Sequence, residues 1–322
     1  MVQTREVGIA SVVGDVCEDL VEHVLKKKQN EKALSFVPQL VLTDEKAAGN
    51  FELDFLVKRS LDDQLFAVWI SHRASAENSD AYLWGLVEES RIVRATYKDV
   101  VCVFVIVGNK NGWKDWTFPA SLLFFDYFVF IGDSKGRNLM GFKFENAPSL
   151  ERTAKERFLF RNTTDIDQIV RTLQTQGVEL RRETMRDAIL TLSDGNKSPL
   201  AKYVHDILQA IGECLDISSM TPNEYVRSLY EQVAFLKSGR IQEARAIDVS
   251  MYRHGILEFV TYLLMLHNFG ETSGIVKTDD LIEVLRSLYM EEARSEIWSK
   301  NAVLNLINSG LIIRENASLR MN

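Results

Sequence analysis

The chain has 322 residues, of which 46% are apolar and 26% charged, and its formal net charge is −7. That length is enough to bury a large core in one big domain or two ordinary ones. The negative charge means that any affinity for nucleic acid must come from local patches rather than from the field of the whole molecule.

Three cysteines, Cys17, Cys102 and Cys214, lie far apart without the paired spacing of a zinc site or redox motif, and read as buried reduced thiols of a cytoplasmic protein. The opening residues show no basic segment followed by an apolar run. The most apolar stretches, 121–132 and 255–266, are too short for a bilayer and each carries an acid, so no membrane is expected.

Along the chain, Val12, Val13, Val16, Leu20, Val21, Val24 and Leu25 recur with a helical period and run into Lys26, Lys27 and Lys28. This predicts a first helix over about 10–28, with cations at the end that the helix dipole favours. Two strands are expected at about 51–58 and 64–71, then a helix over 77–97, a strand at 100–108 and another within 121–131, closed by Gly132 and Asp133. Residues 1–148 therefore read as an α/β domain with a mixed sheet.

Beyond Pro148 the strand-like runs give way to helical patterns at about 164–176, 181–192, 198–214 and 222–238, the last opened by Thr221, Pro222 and Glu224. Residues 149–245 are thus expected as a mostly α-helical middle region. Residues 246–322 have their own order: helices near 253–268, 279–289 and 293–308, then an extended segment at 310–316. No internal repeat, P-loop, dinucleotide fingerprint or serine-hydrolase elbow is present.

Asp54 stands out because it sits inside an apolar strand, where a carboxylate is costly unless a cation or metal pairs with it. The plainer alternative is that it faces water, since Glu52 shares its side of the strand by alternation. The polar segment after the second strand, Ser71 to Asp80, equally reads as a loop that caps a helix through Asn78 or Ser79.

A helix, a strand carrying an acid, and a second strand leading through a polar turn into a helix resemble the catalytic core of the PD-(D/E)XK nucleases, which include many type II restriction endonucleases. The resemblance implies a Mg²⁺ site in which Asp54 is the first acid. Where the family places an acid, a spacer and a lysine on the next strand, this chain has Ser71, His72 and Arg73. Some members carry the second acid on the following helix and a serine on the strand, which makes Glu77 the nearest candidate, with Glu88 and Glu89 further along. Glu18 or Glu22 of the first helix would add a carboxylate. The implied catalytic set is Asp54, Ser71, His72, Arg73 and Glu77, with Asp54, Glu77 and Glu22 on the metal.

The last 70 residues or so, three helices running into a Gly-Leu-Ile segment, resemble the winged helix-turn-helix family, whose third helix lies in the DNA major groove. The mapping exposes Lys300, Asn301 and Asn305 to DNA and turns Val303, Leu306 and Leu311 inward. Arginines between 152 and 186 offer a further phosphate-gripping surface, or a solvated charged face.

The expectation is a restriction-type, Mg²⁺-dependent endonuclease acting on double-stranded DNA as a homodimer or with a partner subunit. The rival readings are a catalytically inactive DNA-binding regulator, favoured by the missing lysine, and a protein-interaction scaffold.

Overall fold

The computed structural model describes residues 8–44, 49–73, 79–108, 113, 125–134, 156–193, 198–224, 275–279, 282, 300, 303–304, 307–308 and 312–321. Its first element is helix α1 (Ile9–Asn30), which buries Val12, Val13, Val16, Leu20, Val21, Val24 and Leu25 as the periodicity predicts. Strands β1 (Leu34–Asp44), β2 (Gly49–Arg59) and β3 (Leu65–Ser71) follow, then α2 (Ser79–Thr96), β4 (Val101–Val107), β5 (Tyr127–Gly132) and β6 (Phe158–Asn162). Helices α3 (Ile166–Thr175), α4 (Arg182–Ser193) and α5 (Pro199–Cys214) come next.

The six strands form one mixed sheet in the order β1-β2-β3-β4-β5-β6. β1, β2 and β3 pair antiparallel, and the sheet is parallel from β3 to β6. A parallel pair needs a crossover, which α2 supplies between β3 and β4. β4 is buried at every position, as expected of a parallel strand covered on both faces.

Alternation divides the side chains between two faces. Phe55, Val57, Val68, Ile70, Val101, Val103, Val105, Val107, Val129 and Ile131 join α1, α3, α4 and α5 in one aliphatic core. On the other face Trp69, Phe104 and Phe128 meet Phe125 and Trp113, with ring centroids 5.2–5.8 Å apart.

Two strands depart from expectation. β1 was not among the expected elements; Pro38 lies within it, and a proline removes a ladder donor. The structure places it at the sheet edge, where that loss is tolerated. β6 lies in the region expected to be mostly helical and is the opposite edge strand. With β6 and α3–α5 packed on the sheet, the fold runs across the boundary expected at residue 148. Thr221 and Pro222 do not open a helix: the first helical residue there is Glu224, and the remainder of the expected 222–238 helix lies outside the described residues.

The segment 216–224 is held down by polar contacts. Arg59 donates to the carbonyls of Ile217 and Met220 at 2.6 and 2.8 Å. The fully buried Asp126 accepts from the Cys102 N–H, the Asn223 N–H and Arg94.

Near the C-terminus, β7 (Ile275–Lys277), β8 (Ile312–Glu315) and β9 (Ser318–Met321) form a small sheet in the order β7-β9-β8. Val303, Ile312 and Leu319 are buried in this part of the chain. Asn316, at φ 58°, turns the β8–β9 hairpin in the left-handed conformation that asparagine tolerates.

Candidate active site

The site begins where two strands part. The β2–β3 ladder runs from Lys58↔Leu65 to Phe55↔Val68 and stops there. One residue further on, the Ile70 N–H donates to Asp54 Oδ2 at 2.6 Å, so a side chain takes the place of the missing backbone acceptor. Asp54 does share its face with Glu52, but it is half-buried while Glu52 is exposed. Burial pushes its carboxyl up to about 6, against the pull of the Ile70 N–H.

Two more acids act within this field. Glu18, on α1, is pushed up to about 7 by burial and by the Asp54 charge, with Arg182 opposing. Glu89, on α2, is also raised to about 7 by burial and by Asp54, while the Trp69 indole N–H donates to it at 3.0 Å. Glu18 on α1 and Glu89 on α2 thus each feel the charge of Asp54 on β2.

The segment after β3 splits by alternation. Ser71 is buried and hydrogen-bonded to the Tyr82 hydroxyl, whose own ionisation burial pushes up to about 12. Arg73 lies with its Cζ 5.0 Å from the Tyr82 ring centroid and 5.9 Å from that of Trp113.

His72 does not join the acids. Its side chain is fully buried, Nδ1–H donates to the Val107 carbonyl at 2.8 Å, and Nε2 lies 3.4 Å from Asp167 Oδ1 at the start of α3. Burial pulls its pKa down, but Asp167 and the carbonyl outweigh that and hold it above the usual histidine value. His72 therefore pairs with Asp167 and the Val107 carbonyl, on the face of the sheet opposite to Ser71.

Of the other expected residues, Glu22 pairs with Lys26 at 2.8 Å along α1, and the neighbouring Glu18 is the α1 acid that responds to Asp54. Glu77 lies outside the described residues, as do Asn301 and Asn305. Lys300 is exposed and Val303 buried, as expected of a helix facing in on one side. The arginine surface is largely internally paired: Arg161 with Glu213, Arg181 with Glu179, Arg182 with Asp19, Arg186 with Asp187, and Arg157 with the Tyr127 hydroxyl. The three cysteines are buried free thiols.

The oxygen-rich set of acids suits a hard divalent cation, which would offset the cost of burying the three carboxylates and the repulsion that Asp54 exerts on Glu18 and Glu89. Among the described residues no three His, Cys, Asp or Glu side chains lie close enough to share one ion. This is compatible with Mg²⁺, which is commonly held by one or two carboxylates and completes its shell with water and phosphate.

Sequence reasoning missed Tyr82 and Trp113 altogether. The signal for the α2 residues was there: Tyr82, Leu86, Glu89 and Val93 share one stripe at helical spacing, and an acid and a phenol interrupt it. Among the described residues no helix is long and apolar enough to cross a membrane. No protein-family model, curated protein or solved structure matches the chain.

Proposed function

We propose that the chain is a metal-dependent endonuclease of the PD-(D/E)XK type that hydrolyses phosphodiester bonds of duplex DNA in the manner of a restriction enzyme. The observation that carries this reading is Asp54 at the point where β2 and β3 diverge, electrostatically joined to Glu18 and Glu89. Support also comes from the element order helix, three antiparallel strands, helix, parallel strand, which is that of the nuclease core.

In this reading Asp54 holds Mg²⁺ with Glu89, the acid displaced to α2, and Glu18 lies next to that pair. When bound, the ion lowers the pKa of a coordinated water and offsets charge on the scissile phosphate. Ser71 occupies the strand position of the absent acid, and Arg73 supplies the positive charge that a lysine gives elsewhere in the family. One such site cuts one strand, so a homodimer or a partner subunit is part of the proposal.

The β7-β9-β8 sheet, with helical residues between β7 and β8, supports a winged-helix reader in which Lys300, Asn301 and Asn305 face DNA. Such local contacts would let an acidic chain bind nucleic acid.

The test is incubation of the purified chain with supercoiled plasmid, with and without Mg²⁺. Nicked or linear product that requires the ion is expected. Asp54→Asn, which keeps shape and removes charge, should lower the rate by about a thousandfold or more while DNA binding and folding persist. Wild-type rates in that variant would refute the metal-site reading.

One observation favours a second reading, an inactive DNA-binding regulator: Ser71 and Arg73 stand where an acid and a lysine are expected. Plasmid that is retarded in a gel but never cut would favour it.

A further inference from the structure

We propose that His72 and Asp167 form a pH-sensitive latch: the doubly protonated imidazole ties the start of α3 to the carboxyl ends of β3 and β4, and loss of one ring proton frees that end of the helix. The inference goes beyond the nuclease reading and does not rest on it. His72 Nδ1 lies 2.8 Å from the Val107 carbonyl oxygen and Nε2 lies 3.4 Å from Asp167 Oδ1. Each ring nitrogen thus faces an acceptor. A neutral imidazole has a single N–H, so either tautomer turns a lone pair on one of the two oxygens. The His72 side chain has no exposed surface, so water does not reach the nitrogen that has lost its proton. Nor is there slack beside the ring, since a Cβ built on Gly108 would lie 2.5 Å from Nδ1 and 2.9 Å from Cε1.

The groups around the ring favour its cationic form. α3 supplies Asp167 and its N-cap Asp165, which accepts from the Asp167 N–H at 3.1 Å. Burial works against the Asp167 carboxylate, but His72 and then Arg171 hold it below the usual range, so it stays ionised. α1 brings Cys17, whose Sγ is 3.9 Å from the same Val107 carbonyl. Burial, then Asp167, Glu18, Asp165 and Asp15, push its ionisation well up, so it faces the ring as a neutral thiol. The latch is therefore shut below the raised His72 value and opens as pH rises through it. Ile169, Val170 and Leu173 keep the rest of α3 on the core, which confines the opening to its first turn.

Two measurements on the full-length protein test this. One follows the ring nitrogens of isotope-labelled histidine by NMR as pH is raised, with His72→Gln identifying the His72 signals. The other is hydrogen exchange of residues 165–171, corrected for the intrinsic pH dependence of exchange, with α5 as internal control. His72 should still carry both protons above about pH 6.5, the ordinary histidine midpoint. Beyond its own midpoint, protection of 165–171 should fall by up to about tenfold per pH unit while that of α5 holds. The fall should vanish in Asp167→Asn, whose amide can donate to a neutral Nε2 and so needs no second ring proton.

A His72 midpoint at or below about 6.5 overturns the latch. So does protection of 165–171 that is indifferent to pH in wild type, or a fall that persists unchanged in Asp167→Asn. Should a variant not fold, the wild-type exchange curve decides: a fall confined to 165–171 upholds the latch and a flat curve overturns it.

Discussion

Asp54, Glu18 and Glu89 hold their protons above the ordinary carboxylate range, to about 6, 7 and 7. Between roughly pH 4 and 7 the folded, metal-free chain therefore binds more protons at these groups than the unfolded chain does. Their contribution to stability is greatest at the acid end of that window and declines as pH rises through it. His72 acts in the same direction, since the stability from its charged form is lost as pH rises through its raised folded value. The midpoint of thermal unfolding without metal should fall by a few degrees between pH 5 and pH 8 from these groups. Mg²⁺ should recover the carboxylate part at pH 8, do little at pH 5, and recover nothing in Asp54→Asn. An equal Mg²⁺ shift in wild type and Asp54→Asn would contradict this assignment. Asp54 was legible because an acid interrupts an apolar strand. The choice of Glu18 over Glu22 was not, because both lie one turn apart on α1 and only the way that helix seats on the sheet separates them. The place of His72 follows from a rule the sequence already contained: alternation sends it to the face opposite Ser71 and Arg73.

At the scale of elements, the parallel strands were legible as unbroken apolar runs, and their C-terminal ends show how tightly they are set. A Cβ built on Gly132 would lie 1.6 Å from the Gly108 carbonyl oxygen, a backbone atom with nowhere to go. A Cβ on Gly108 would lie 2.5 Å from His72 Nδ1. Gly14, inside α1, has nothing within 4 Å of such an atom. Gly132→Ala should therefore cost about 3 kcal/mol or more, or prevent folding, whereas Gly14→Ala should stabilise by about 0.5–1 kcal/mol. Urea titrations of the two variants check both signs. A Gly132→Ala protein as stable as wild type would mean that β4 and β5 end differently. The strands that escaped the sequence reading, β1 and β6, are the two edges of the sheet. Edge strands need neither continuous apolarity nor a donor at every residue, so the pattern that reveals β4 is missing from them.

At the scale of the whole molecule, one core unites α1, the sheet and α3–α5, a unity invisible to composition because the chain's change of character after Pro148 marks a change of layer. Many of its arginines are internally paired, so DNA affinity should depend on few exposed cations. Lys300→Ala should weaken binding evenly across sequences and lower the salt slope by about one, as read by fluorescence anisotropy over a range of salt. An unaltered slope would exclude Lys300 from the interface. The edge strand β1 carries one further consequence. Its pairing with β2 is interrupted at Gln39, which sits opposite Asp54 at φ 49°, directly after Pro38, with the exposed Val37 and Val41 on either side. A long, regular rim bearing two bare valines would recruit the rim of another molecule and grow into a ribbon. The kink and the missing donor deny such a template its regular spacing, so these two residues act as gatekeepers of colloidal solubility. Pro38→Val combined with Gln39→Thr should leave the monomer folded yet drive concentration-dependent association, visible as rising light scattering and thioflavin fluorescence, and a double variant that stays as dispersed as wild type would remove that role.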